Sequence, residues 1–132
     1  METNNSGRET TVCIVDDNDD IRDIYSMKFR NEGFSVVTAG DGEEALVVIK
    51  RDRPDVVLLD IQMPILDGLG VLKVLKSDID LAKIPVVILS NVDSEEMFQH
   101  VSELGGARYY LVKSLTDPQK VVDITLEALA EC

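Results

Sequence analysis

Hydrophobic residues concentrate in five short runs: Thr11–Val15, Phe34–Thr38, Asp55–Leu59, Ile84–Leu89 and Arg108–Val112. Each is about strand length and rich in Val, Ile or Leu. Runs that are apolar at successive positions suit parallel strands covered by helices on both faces. Segments of helical spacing follow each run. The first is predicted over 18–32, with Ile21, Ile24, Tyr25 and Phe29 inward, Asn18 as N-cap and Gly33 as the stop. Asp19 and Asp20 suit the positive end of its dipole. A second covers 42–51, after Gly40-Asp41-Gly42 and before Pro54. A third covers 66–77, with Leu69, Leu72 and Leu75 as its stripe and Lys76 at a charged edge. The fourth, 94–104, has Ser94 as cap and Met97, Val101 and Leu104 inward, and it stops at Gly105-Gly106. Phe98 lies at the edge of that stripe, where core rim and partner surface are both open readings. His100 is read as solvent-facing. The fifth helix covers 117–130, with Pro118 in its first turn and capping-box spacing between Thr116 and Gln119.

Five strand–helix pairs make (βα)5, and right-handed crossovers make that an open, doubly wound parallel sheet. Periodicity does not choose a strand order. One common order, the flavodoxin-like 2-1-3-4-5, puts a ligand crevice between strands 1 and 3. With 132 residues, the chain is expected to form one domain over 11–132 behind a polar, aperiodic and flexible tail, 1–10.

Charge narrows the function classes. The chain carries 25 acidic and 13 basic residues, a formal charge of −12. Direct nucleic-acid binding is not expected, because such affinity comes from Lys and Arg on phosphates. Membrane insertion is not expected either, since no apolar run approaches ~20 residues. There is no secretory pattern, and two cysteines, Cys13 and Cys132, do not suggest a disulfide scaffold. A cytoplasmic location is the expectation.

Candidate chemistry sits where the runs end. Parallel strands finish at one edge, and here they finish in Asp16-Asp17, Asp60, Ser90 and Lys113. Three carboxylates at one edge repel unless a cation joins them, and oxygen ligands suit Mg²⁺. Asp60 is then a candidate nucleophile towards phosphorus. Lys113 and Ser90 are candidates for holding phosphoryl oxygens. Individually each has a plainer reading: a helix-capping Asp pair, a turn serine, a surface lysine. Asp67-Gly68 reads as a turn and helix start. Tyr110 and Tyr109 alternate between the faces of strand 5, with Tyr109 on the core side, and Cys13 fills core.

Taken together and in order, Val15-Asp16-Asp17, Leu58-Leu59-Asp60-Ile61-Gln62-Met63-Pro64, Asp67-Gly68, Leu89-Ser90-Asn91 and Val112-Lys113 resemble the receiver domain of two-component response regulators. The resemblance covers roughly residues 10–131. It implies a signalling switch of chemotaxis-regulator type with Asp60 as phosphoacceptor. Mg²⁺ would be held by Asp17, Asp60 and the backbone carbonyl of Gln62, with Asp16 acting mostly through water. Ser90 would be the moving hydroxyl and Tyr110 the switch aromatic. Gln62 and Val92 would flank the path of attacking water and tune the signal's lifetime. Implied partners are a histidine kinase or histidine phosphotransfer protein upstream and a protein docking on the helix 4–strand 5–helix 5 face. A phosphorylation-linked homodimer is also implied. Beyond its own phosphorylation and dephosphorylation no enzymatic activity is expected. If the sequence is complete, the signal is expected to leave by docking or onward transfer; if it is a piece, a missing effector domain is the open alternative.

Two positions depart from the family pattern. Lys-Pro, usually joined by a cis bond, is Lys113-Ser114 here, which leaves open whether that bond is cis or trans. A usually small residue after the hydroxyl is Asn91, able to restrict access or add a hydrogen bond. Both give some weight to a phosphorylation-independent interaction module on the same fold. An aspartate-nucleophile phosphatase would need an acid where Gln62 stands. A flavin carrier would need a Ser/Thr/Gly-rich loop where the chain has Asp16-Asp17-Asn18-Asp19-Asp20.

Overall fold

The computed structural model describes residues 9–131. The expected tail therefore lies largely outside the described residues, as does Cys132. Five strands form one parallel sheet in the order β2-β1-β3-β4-β5. They are β1 (Thr11–Val15), β2 (Ser35–Ala39), β3 (Val56–Leu59), β4 (Val86–Ser90) and β5 (Ala107–Val112). Five helices alternate with them: α1 (Asp19–Asn31), α2 (Gly42–Asp52), α3 (Gly68–Ser77), α4 (Glu95–Leu104) and α5 (Pro118–Ala130).

Each face of the sheet carries its own core. One groups Cys13, Val15, Val57, Leu59 and Ile88 with Ala45, Ile49, Leu72 and Leu75 of α2 and α3. The other groups Val12, Ile14, Leu58 and Val87 with Tyr25, Phe29, Val121 and Val122 of α1 and α5. Successive residues of β1 and β3 thus point to opposite cores, which is why the runs are apolar without alternation. Burial pushes the Cys13 thiol up to about 12, with nearby Asp52 and Glu44 adding to it.

The element ends differ from expectation where local hydrogen bonds take over. Phe34 does not open β2, because its N–H closes α1 on the Phe29 carbonyl at 3.0 Å. Asp55 precedes β3 and accepts the Thr11 N–H at 2.8 Å. The Ile84 N–H closes a 3₁₀ turn over Leu81–Lys83, so β4 starts only after Pro85. α3 begins at Gly68 rather than 66, capped by Asp67, whose carboxylate accepts from Gly70 N–H at 2.9 Å. Asp117, not Thr116, caps α5 by accepting from Lys120 N–H. Ile24, expected inward, is 53% exposed, because Ile21, Tyr25 and Phe29 already occupy the inner stripe of α1. Asn18 and Ser94 cap α1 and α4 as expected.

Candidate functional site at the carboxyl ends of the strands

Strand register decides which polar ends meet. Val15 lies opposite Leu59, and Leu59 opposite Ile88. One residue further, the Asp60 N–H donates to the Val15 carbonyl at 3.0 Å and the Asp16 N–H to the Ala39 carbonyl at 3.1 Å. The ladders therefore carry Asp16 and Asp60 to neighbouring places just past the sheet edge. Ser90 pairs with Val112, which sets Lys113 one residue beyond it. A cleft of about 500 Å³ opens there, lined by Asp16, Asp17, Asp60, Gln62, Asn91 and Lys113, with Asn18, Ile21 and Ser114.

Asp16 and Asp60 are only 3% and 5% exposed. Lys113 bridges them: its ammonium contacts Asp16 Oδ2 and lies 3.3 Å from Asp60 Oδ2. Burial holds the Asp60 carboxyl above its ordinary range; Lys113 opposes this and Asp16 reinforces it. Burial alone would lower the Lys113 ammonium, but hydrogen bonds and charge from Asp16 and Asp60 raise it overall. The other oxygen of each carboxylate also accepts one backbone donor. Asp60 Oδ1 accepts from the Ile61 N–H at 2.8 Å, and Asp16 Oδ1 from the Asn18 N–H at 2.9 Å.

Carboxylate oxygens of Asp16, Asp17 and Asp60 lie within 4.8 Å of one another. This all-oxygen set, with two members buried, matches the donors a hard divalent cation takes, so the residues fit Mg²⁺. Gln62 borders the same cleft.

Ser90 is fully buried, and its Oγ accepts from the Val92 N–H at 3.3 Å and hydrogen-bonds with Asp60. Tyr110 sits on the α2/α3 side of the sheet, its hydroxyl donating to the Val92 carbonyl at 2.7 Å. Phe98, 37% exposed, packs edge-on against it at 4.5 Å between ring centroids. Tyr109 faces the other core, and its hydroxyl donates to Glu131 at 2.6 Å. Ser90, Val92 and Tyr110 are not among the residues that line the cleft. His100 is exposed.

One contributor, Arg22, and one role, the close approach at Gly68, were not read from the sequence. Arg22 donates to the Asp16 carbonyl at 2.7 Å and pairs with Asp19, tying the acidic loop to α1. Gly68 lets α3 approach the phosphoacceptor candidate: a Cβ there would lie 2.2 Å from the Asp60 carbonyl oxygen. The Asp67-Gly68 pair was the visible signal, read as a turn and helix start and as part of the receiver pattern. The described residues contain no cis peptide bond, so Lys113-Ser114 is trans.

A five-stranded sheet of this order, with acids at the first and third strand ends and a lysine at the fifth, defines a receiver fold. The response regulator receiver domain profile matches residues 12–125, and the chain belongs to that family. It is similar to the probable transcriptional regulatory protein TcrX of Mycobacterium tuberculosis, 36% identical over 124 residues, covering 94% of this chain and 50% of TcrX. The probable transcriptional regulator ycf27 of Guillardia theta is 47% identical over 103 residues, 77% of this chain and 39% of its own. The chain thus spans half or less of these curated relatives. Among solved structures, the chemotaxis protein CheY4 of Vibrio cholerae superposes with a TM-score of 0.84 at 29% identity, covering 91% of this chain and 98% of CheY4. Family membership carries phosphorylation signalling as its general role. No helix among the described residues is long and apolar enough to cross a membrane.

Proposed function

We propose that this chain is a phosphorylation-controlled switch in which Asp60 takes a phosphoryl group from a histidine kinase or a histidine phosphotransfer protein. The observation that carries the reading is the buried Asp60 carboxylate, hydrogen-bonded with Ser90, 3.3 Å from the Lys113 ammonium and grouped with Asp16 and Asp17. In the transfer, an Asp60 oxygen attacks phosphorus. The P–N bond of the donor phosphohistidine breaks, its electron pair returning to the imidazole. Lys113 and Ser90 each hold a phosphoryl oxygen, which fits a reaction that needs mainly positioning and charge neutralisation. Asp16, Asp17, Asp60 and the Gln62 backbone carbonyl would hold Mg²⁺, which when bound offsets the negative charge of carboxylates and phosphoryl oxygens.

Hydrolysis later returns Asp60 to its free state. Gln62 is able to orient the attacking water, whereas the Val92 side chain is apolar, so an intermediate to slow decay follows. Ser90 and Tyr110 both bond to Val92. A shift of Ser90 towards the phosphoryl group therefore reaches Tyr110, and with it α4, β5 and α5, the face proposed for a downstream protein or a homodimer.

The test is intact mass after incubation with acetyl phosphate, with and without Mg²⁺, beside Asp60→Asn. One Mg²⁺-dependent phosphoryl adduct, absent from the variant, is expected. No adduct from acetyl phosphate or from a panel of phosphorylated histidine donors refutes the reading and favours a phosphorylation-independent module. In the same assay Val92→Glu changes the adduct's half-life; an unchanged half-life refutes the tuning role.

A further inference from the structure

The two residues proposed to hold phosphoryl oxygens come from different loops. Ser90 ends β4 and Lys113 follows β5. The residue immediately after each one reaches across to the other: the Ser114 N–H donates to Asn91 Oδ1 at 3.2 Å. Both Asn91 and Ser114 line the cleft. The donor exists because residue 114 is not the proline of the resembled pattern, since proline carries no N–H. The acceptor exists because residue 91 is not small. The two departures are therefore one feature, a hydrogen bond between the β4–α4 loop and the turn after β5.

Geometry gives that bond leverage. Ser90 is fixed at one end of the β4–α4 loop by its pairing with Val112, and the Tyr110 hydroxyl holds Val92 two residues on. Asn91 lies between these anchors. On the other side, Lys113, whose ammonium reaches Asp16 and Asp60, opens the 3₁₀ turn Lys113–Leu115. A link at Ser114 ties the start of that turn to the loop carrying Ser90.

We propose that the Asn91–Ser114 hydrogen bond sets the spacing of Ser90 and Lys113 across Asp60, making Asn91 a positioning residue for phosphoryl uptake. This rests on the function proposed above. One neutral hydrogen bond predicts a loss of about three- to tenfold.

The experiment is a double-mutant cycle of Asn91→Ala, Ser114→Pro and the pair, on the full chain. Adduct formation from acetyl phosphate with Mg²⁺ is followed by intact mass, and Ser114 amide exchange by NMR in three proteins that keep that amide, wild type, Asn91→Ala and Asn91→Asp. Each single variant slows adduct formation by that factor, and the double is no slower than the slower single. Ser114 exchanges faster in Asn91→Ala, and Asn91→Asp, which keeps the acceptor oxygen, restores its protection. Losses that multiply in the double, unchanged rates, or equal Ser114 exchange in wild type and Asn91→Ala overturn the proposal. A wild type that forms no adduct from acetyl phosphate or from the panel of phosphorylated histidine donors instead overturns the phosphoryl-acceptor reading beneath it.

Discussion

Lys113 is the only positive charge touching the two buried carboxylates among the described contacts, so replacing it with methionine isolates what that charge does. Its side chain is 12% exposed, and those of Asp16 and Asp60 are 4% and 6% exposed. Methionine keeps the apolar stem and removes the ammonium. Removing one partner of a fully buried pair costs about 3–5 kcal/mol, and a hydrogen bond to a charged group contributes about 1.5–3 kcal/mol. The cleft admits water to one side of this cluster, which lowers the cost to about 2–3 kcal/mol. For a chain of this size that is roughly 6–12 °C in Tm. Urea unfolding followed by circular dichroism, in chelator and at a series of pH values, measures it. The pH dependence has a definite sign. Lys113 is raised above its ordinary 10.5, so its contribution is complete below that value and disappears as pH rises through the folded value. Asp60 is raised above 3.8, chiefly by burial, so on acidification it takes its proton early and the orphaned charge vanishes. The gap between wild type and Lys113→Met is therefore flat near neutrality and narrows at both extremes. Mg²⁺ narrows it as well, by binding the same carboxylates in the folded state. A gap under about 0.5 kcal/mol at neutral pH, the range of ordinary surface substitutions, refutes the reasoning, as does one that widens with acid.

Three further substitutions probe how α3 and its preceding loop support Asp60. Gly68→Ala forces a Cβ to 2.2 Å from the Asp60 carbonyl oxygen and 2.8 Å from Ile61 Cα, so backbone must move; a loss of about 2–3 kcal/mol in urea unfolding is expected. At Gly70 the nearest atom is the Leu66 Cδ1, a side-chain end, so Gly70→Ala costs less, and equal losses at the two sites refute the argument. Ile65 has φ +71 and is 72% exposed, inside a turn closed by the Leu66 N–H on the Pro64 carbonyl at 2.7 Å. Ile65→Gly relieves about 1–3 kcal/mol of backbone strain against about 0.5–1 kcal/mol of added unfolded-chain entropy. The urea midpoint should rise by about 1 kcal/mol in stability at constant slope, and a lowered midpoint refutes the strain argument.

The (βα)5 order was legible in the sequence because buried parallel strands leave unbroken apolar runs and each helix keeps one inner stripe. The candidate site was legible for a related reason. Parallel strands end at one edge, so Asp16, Asp17, Asp60, Ser90 and Lys113 could be gathered by reading strand ends alone. Their joint resemblance to a receiver then supplied roles that no single residue carries. Strand order was not decided by periodicity, because every buried strand has the same pattern whichever neighbour it takes. Only the ladders decide it: Val15 with Ala39 and with Leu59, Leu59 with Ile88, and Ser90 with Val112. Element ends were also misplaced where a single hydrogen bond, such as Phe34 to Phe29, outweighs residue type. Arg22, the close approach at Gly68 and the Asn91–Ser114 bond were hidden for another reason. Each depends on the distance between segments far apart in sequence, or on the direction one side chain takes across a turn. The sequence by itself determined which residues can be buried and which chemistry stands at the strand ends. The tertiary structure decided which of them touch, because contact distances follow from register and packing rather than from the order of residues along the chain.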